Sequence, residues 1–301
     1  MDAPQTSANA RADAIATVRD LVLRFSCKDQ PGIVATVASF FAEQGFNIRE
    51  SSQYEDSDTG QFFMRTVFSA CEGEHDLTEV RAGFKPLATQ FAMDWQLNDY
   101  AYKPRIVIAV SQWGHCLEHL LNSWKRGTLP VEIVAVVSNH QLLSDLCAWY
   151  QVPFHYLPVD KETKAQQENQ ILQLMESLNA DFLVLARYMQ ILSNTMCQRL
   201  KGRAINIHHS FLPGFKGARP YHQAHKRGVK LIGATAHYVT EDLDEGPIIE
   251  QEVERVNHAN SPQEMVEIGR DVERVVLHRA VMWHASHRVL LNGDKTVVFS
   301  R

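Results

Sequence analysis

The chain lacks the signatures of several functional classes. Its five cysteines, Cys27, Cys71, Cys116, Cys147 and Cys197, stand far apart with no C-x-x-C pair. A disulfide framework and a cysteine-built zinc site are therefore excluded as readings, and the thiols are expected to be reduced in a cytoplasmic protein. No run approaches the roughly 18 consecutive apolar residues of a membrane span, and the opening MDAPQTSANARADAIATVRD has no apolar signal core. A membrane partner is not expected. Excess positive charge is missing too: Lys and Arg number 30 against 35 Asp and Glu, a formal net charge of -5. That sign opposes an electrostatic grip on phosphate backbones, so nucleic acid is not an expected partner. Glycine and proline are sparse at 15 and 11, and 45% of residues are hydrophobic, which excludes disordered and collagen-like classes. Neither G-x-G-x-x-G nor G-x-x-x-x-G-K-[ST] occurs, so the glycine loops that hold nucleotide phosphates are absent.

What is present is length for two domains, 301 residues. Residues 1–18 read as a flexible polar leader. Residues 19–101 run strand, helix, strand, strand, helix, strand. LVLRFSC is β-rich, KDQPG turns into a helix from Ile33 to Glu43, NIRESSQYE and QFFMRTVFSA flank a DSDTG turn, a helix spans Leu77 to Gln90, and FAMDWQL closes the set. This is the order of the ferredoxin-like βαββαβ fold. Asp29 and Pro31 suit the first turn of the helix. A composition break at NDYAYKPR marks a second domain, 102–301. There RIVIAVS, VEIVAVVS, PFHYLPV, DFLVLAR and RAINIHH alternate with helix-length amphipathic stretches, as in a mostly parallel, Rossmann-like α/β sheet. GATAHYV and GPIIEQEVERV follow across a short acidic turn and predict an antiparallel pair at the sheet end. The segment after Ser261 reads as one long closing helix.

Ligands of open α/β sheets bind at the carboxyl ends of the strands, which directs attention to INIHHSFLPGF. Asn206 and His208 are two apart on a predicted strand and share a face. An amide donor beside a titratable imidazole suits a developing oxyanion. Taken alone, the pair reads more simply as a strand-end histidine satisfied by backbone. The turn TEDLDEGP adds carboxylates at Asp242, Asp244 and Glu245. A carboxylate near an imidazole can hold it protonated or activate a water, though Asp and Gly are also ordinary turn residues.

Taken together, N-x-H, then S-x-L-P, then H-x-V-T-x-x-L-D-x-G-P-I-I, with LARYMQIL upstream, resemble the formyltransferase domain of folate-dependent enzymes from about Arg105 onward. By that resemblance Asn206, His208 and Asp244 correspond to the catalytic residues. Met189, Gln190, Ile191 and Leu192 line the folate pterin, and His237, Tyr238, Val239, Thr240 and Asp242 belong to the folate-binding loop. Glycinamide ribonucleotide transformylases carry a Gly-rich phosphate loop after the first strand, where this chain has SQWGHCLEH with Gly114 as its one glycine. Methionyl-tRNA formyltransferases append a basic domain after the catalytic one, whereas here the extra domain comes first and the chain is acidic.

The N-terminal unit with KDQPGIV resembles an ACT domain, and the fusion as a whole resembles the formyltetrahydrofolate deformylase family. That implies hydrolysis of 10-formyltetrahydrofolate to tetrahydrofolate and formate, with folate as substrate, no separate cofactor and no metal. The alternatives are a formyltransferase to an amine acceptor and a non-catalytic folate-binding, amino-acid-sensing protein. The ACT resemblance implies an amino-acid effector such as glycine or methionine near Asp29, Gly32 and Ile33, with a ligand-free dimerisation module as the other reading. It also implies a homo-oligomer.

The remaining candidates carry less. His115 and His119, four apart on a helix, and His222 and His225 have zinc-compatible spacing without H-E-x-x-H. Lys226, Arg227 and Lys230 form a basic cluster that reads as a solvated face or a contact for the folate tail. His209 is taken as a neighbour of the catalytic pair and Cys116 as a buried thiol.

Overall fold

The computed structural model describes residues 17–214 and 220–300. The expected leader, 1–18, lies outside the described residues up to position 16. Its last two residues are corrected: Thr17–Val18 form a short strand, β1. The chain continues as β2 (Asp20–Lys28), α1 (Ile33–Glu43), β3 (Phe46–Asp56), β4 (Gln61–Ala70), β5 (His75–Asp76), α2 (Leu77–Gln90) and β6 (Asp94–Asp99). β1 pairs with β5, and the main sheet of this unit has the order β3-β4-β2-β6, all antiparallel.

Local chemistry explains these elements. α1 places Ile33, Val37 and Phe41 on one buried stripe. α2 starts where the Asp76 carboxylate accepts from Thr78 N and Glu79 N. Two expectations are corrected here. Asp29 and Pro31 lie ahead of α1 and not in its first turn; the helix starts at Ile33 after an N-cap at Gly32, in the left-handed region at φ 94° with no side-chain cap. The strand expected from FAM begins only at Asp94, because Phe91 caps α2 and Ala92 turns at φ 48°.

β4 is buried along nearly its whole length. Phe62, Met64 and Phe68 join the cluster under α1 and α2, around Phe41 and Phe84. Phe63, on the other face, packs with Leu290 and Phe299. The partition into compact units follows that burial: the first unit runs to Tyr102 and also takes Ser286–Leu290 and Val297–Arg301. The assignment of all of 102–301 to one second domain is therefore corrected. Buried Arg65 secures the C-terminal segment, donating through Nε and Nη2 to Ser286 O and through Nη1 to Glu50. Arg24 donates to Val289 O.

The second unit comprises Lys103–Ala285 and Leu291–Thr296. It contains β7 (Arg105–Val110), α3 (His115–Lys125), β8 (Glu132–Ser138), α4 (Ser144–Trp149), β9 (Phe154–Tyr156), α5 (Lys164–Ser177), β10 (Phe182–Leu185) and α6 (Asn194–Arg199). Then follow β11 (Ala204–His208), α7 (Pro220–Arg227), β12 (Leu231–Tyr238), β13 (Ile248–Arg255) and α8 (Pro262–Ala285). A terminal hairpin, β14 (Val289–Asn292) with β15 (Lys295–Val298), replaces the expected end on a long helix.

The seven-stranded sheet has the order β13-β12-β11-β10-β7-β8-β9. It is parallel from β9 to β11, and β12 and β13 are antiparallel. The strand order reverses at β7, so the ends of β7, β10 and β11 open where α/β sheets bind ligands. Among the described residues no helix is long and apolar enough to cross a membrane.

Phe41 is fully buried and stacks on Phe68 with ring centroids 3.9 Å apart. Phe41→Ala is expected to destabilise the protein by about 3–5 kcal/mol, read by urea denaturation; a loss below about 1 kcal/mol would contradict this packing.

Candidate active site

Antiparallel pairing of β11 with β12 sets Asn206 opposite His237 and His208 opposite Thr235. Beyond β12 the chain loops out and returns as β13. Gly246 lets it close, because a Cβ there would lie 1.8 Å from Tyr238 O. Asp244 sits in that loop at φ 58°, a strained conformation for a non-glycine residue. The strain turns its carboxylate back onto the strand ends.

There Asp244 meets two imidazoles. His208 Nδ1 lies 3.2 Å from Asp244 Oδ2, and His237 Nε2 lies 3.7 Å from Oδ1. His237 Nδ1 donates to Tyr238 O at 2.9 Å. Asn206 Nδ2 lies 3.2 Å from His237 Nε2. Burial pushes the Asp244 carboxyl up, but hydrogen bonds from His208 and His237, and the charge of those rings, hold it well below the usual carboxylate range. Nε2 of His208 is buried without a hydrogen-bond partner.

These groups line a cavity of about 800 Å³, in the range of small-molecule sites. Met189, Gln190, Ile191, Leu192, His237, Val239, Thr240 and Asp242 line it together with Asn206, His208 and Asp244. Met189, Ile191, Leu243 and Trp113 stay exposed there, an apolar lining suited to a flat ring system. Tyr238 is corrected: strand alternation turns its side chain away, and its hydroxyl pairs with His284 Nδ1 at 2.7 Å.

The 187–192 loop is tied down at several points. Tyr188 donates to Gln167 Oε1 at 2.9 Å, Ser193 N donates to Glu168 Oε1 at 2.8 Å, and Met189 N donates to Ser111 Oγ at 3.0 Å. In the S-x-L-P segment, Thr235 Oγ1 donates to Ser210 O and accepts from Leu212 N. Burial first, then the charges of Arg187 and His208, push His209 down to about 4, so the ring is neutral near pH 7.

Sequence reasoning missed a second polar group in the cavity: His115, Arg187, Tyr221 and Glu273. Its one linear signal is Glu273, a charge inside the buried stripe of α8. Tyr221 approaches α8 because Gly269 has no side chain; a Cβ there would lie 2.1 Å from the ring. The loop after β7 holds no phosphate cradle. It presents Trp113 and His115 to the cavity, with Arg270 stacked over Trp113 at 4.8 Å.

The spacing-based histidine pairs do not converge. His115 faces Glu273, while His119 packs on His278. His222 lines the cavity and His225 does not. His115, Cys116 and Glu273 do bring ligand atoms within 4.8 Å of one another, and Cys116 is fully buried. Lys226, Arg227 and Lys230 are exposed. In the first unit Asp29 and Gly32 are exposed, but Ile33 is 2% exposed, so only its main chain can meet a ligand.

Comparison with known proteins agrees with this anatomy. Residues 104–281 match the family described as Formyl transferase, and residues 21–82 match the ACT domain. A Bacillus subtilis protein named formyltetrahydrofolate deformylase is 47% identical, over 92% of this chain and 93% of its own length. The crystal structure of the formyltetrahydrofolate deformylase from Burkholderia mallei superposes with a TM-score of 0.90 at 49% identity, covering 93% of this chain and 99% of that one. A phosphoribosylglycinamide formyltransferase from Brucella melitensis superposes with a TM-score of 0.58 at 30% identity, covering 64% of this chain and all of its own.

The depressed Asp244 carboxyl links stability to pH. A group held below its unfolded value stabilises the fold above that value, about pH 4, and the contribution is lost as pH falls further. The stability of wild type relative to Asp244→Asn is expected to decline as pH falls below about pH 4. Thermal melts across this range check it; a difference that stays constant down to pH 3 contradicts the arrangement.

Proposed function

Because the chain belongs to the formyltetrahydrofolate deformylase family, we infer that it hydrolyses 10-formyltetrahydrofolate, balancing the one-carbon folate pool and supplying formate for purine biosynthesis. The observation that carries this reading is the convergence of Asn206, His208 and Asp244 in one cavity, within a chain whose deformylase relatives match it across both units. The reaction takes water and releases tetrahydrofolate, formate and a proton.

The geometry supports the following assignment of roles. Asp244, ionised at neutral pH, orients a water and accepts its proton as the oxygen attacks the formyl carbon. Negative charge then develops on the formyl oxygen. Asn206 Nδ2 and His208 Nε2 are the donors for it, and His208 is oriented by its Nδ1 contact with Asp244. Collapse of the adduct breaks the C–N bond, and the proton passes to the departing nitrogen. The pterin is assigned to the Met189–Leu192 loop and to the cavity-lining residues after β12.

The substrate is a small molecule, and no cofactor enters these steps. We also propose that the protein acts as a cytoplasmic homo-oligomer whose ACT unit binds a small amino acid such as glycine or methionine. Asp29, exposed, can meet an ammonium group. The first turn of α1, with no side-chain cap and open space beside Gly32, can meet a carboxylate.

Asp244→Asn is expected to retain folate binding and lose about a hundredfold or more in turnover, and Asn206→Ala is expected to lose a similar factor. Formate release from 10-formyltetrahydrofolate, measured with and without glycinamide ribonucleotide, is the direct check. Release that requires the amine would make the protein a transferase.

Calorimetry is expected to detect glycine or methionine binding that Gly32→Val abolishes, since the left-handed backbone there disfavours a β-branched side chain. No heat from either amino acid with the wild type would leave the ACT unit as a dimerisation module.

A further inference from the structure

The second polar group of the cavity has no part in the steps above, yet it is built with care. Glu273 is 1% exposed. His115 Nε2 lies 2.7 Å from its Oε2, and Tyr221 donates to its Oε1 at 2.8 Å. Arg187 completes the group as an ion pair, with Nε 3.4 Å from the same Oε2. Its Nε and Nη1 are buried and make no hydrogen bond.

Buried donors without acceptors are costly, and an unsatisfied guanidinium more so than a neutral group. Arg187 also adopts φ 64°, a strained conformation. Strain and unanswered donors at one residue in a ligand cavity indicate a group kept ready for an acceptor from outside. His208 Nε2, in the same cavity, is the other buried atom left without a partner there. His209, stacked on His208 and near Tyr221, feels the charges of both Arg187 and Asp244, so the two polar groups are electrostatic neighbours.

The awaited ligand is an anion. His115, Cys116 and Glu273 could approach a metal ion, but the guanidinium beside Glu273 would repel it, and burial pushes the Cys116 thiol up, away from the thiolate a metal needs.

We propose that Arg187, braced by Glu273, forms with His208 Nε2 a subsite for a small carboxylate, the formate released by hydrolysis. The proposal rests on the hydrolytic reading of the cavity. Each turnover creates a formate anion close to the ionised carboxylate of Asp244, and like charges repel. Arg187 offers that anion a cation with free N–H donors, and so stabilises the product as it forms and leaves. Azide and nitrate, small anions of similar size, are expected to compete for the same donors.

The test is binding of isotope-labelled formate to the full-length protein, followed by NMR, beside the inhibition constant of formate in the deformylation assay. Arg187→Met removes the buried cation paired with the Glu273 carboxylate and can unfold the protein. The double variant Arg187→Met/Glu273→Gln is therefore made alongside it, together with Arg187→Lys. Wild type is expected to bind formate. The double variant is expected to bind about tenfold more weakly or worse, and Arg187→Lys to fall between, because lysine keeps the charge but not the fork of donors. Formate binding unchanged in the folded double variant, or absent in wild type, overturns the subsite. Turnover in wild type without Arg187-dependent formate binding sinks this proposal and leaves the hydrolytic reading standing. Arg187-dependent binding without turnover keeps the small-carboxylate subsite but sinks the hydrolytic reading, and with it the assignment of that carboxylate as a product.

Discussion

A carboxylate kept ionised in a largely enclosed site has to be answered by donors, and Asp244 is answered by His208 and His237. Much of the local architecture follows from that demand. The two imidazoles must stand side by side, which the antiparallel register of β11 and β12 provides by placing residue 206 opposite 237 and 208 opposite 235. The carboxylate must arrive from a third direction, which requires a loop that leaves β12, turns at a left-handed aspartate and passes close to Tyr238 O at Gly246. Each requirement is local, yet none is met unless the others are.

The same cavity shows where the fold accepts cost. Left-handed backbone at Arg187 and Asp244, and buried atoms without partners on Arg187 and His208, all line one space. The central strands β7, β8 and β10 are largely buried runs of Val, Ile, Leu and Ala paired in parallel ladders. A rigid sheet carries a small strained site because its core overdetermines the backbone at the strand ends. The loop bearing Arg187 is fixed by Gln167, which accepts from the Tyr188 hydroxyl, and by Glu168 and Ser111, which accept from main-chain N–H groups of Ser193 and Met189.

The first unit solves a different problem. β4 is buried on both faces, and an antiparallel sheet with helices on one side leaves the other to water. The C-terminal residues cover that side, and buried Arg65 satisfies the carbonyl of Ser286 and the carboxylate of Glu50 together. Breaking one partner of such a network strands a buried charge, so the segment is integral to the unit.

Periodicity and turn chemistry were enough to read α1, β4 and α2 to their end residues, and the parallel sheet with its antiparallel edge, because those signals are local. The N-x-H pair and the acidic turn were readable for the same reason: two residues apart on a strand fixes a shared face, and a glycine-proline pair fixes a turn. What linear reading left out is non-local. Strand alternation sent His237 inward and Tyr238 outward, which the loop motif alone did not separate. Ile33 went to the core because α1 packs by that face. Glu273 and Arg187 lie far apart in the chain and meet only when α8 packs across β11 and β12, and the last residues joined the first unit because β4 offered them a second buried face. Residue identity and spacing along one element determined the elements, and the family resemblance of the combined motifs the catalytic candidates; the packing of one element on another decided which groups share the cavity, since contact between distant residues is a property of the folded chain.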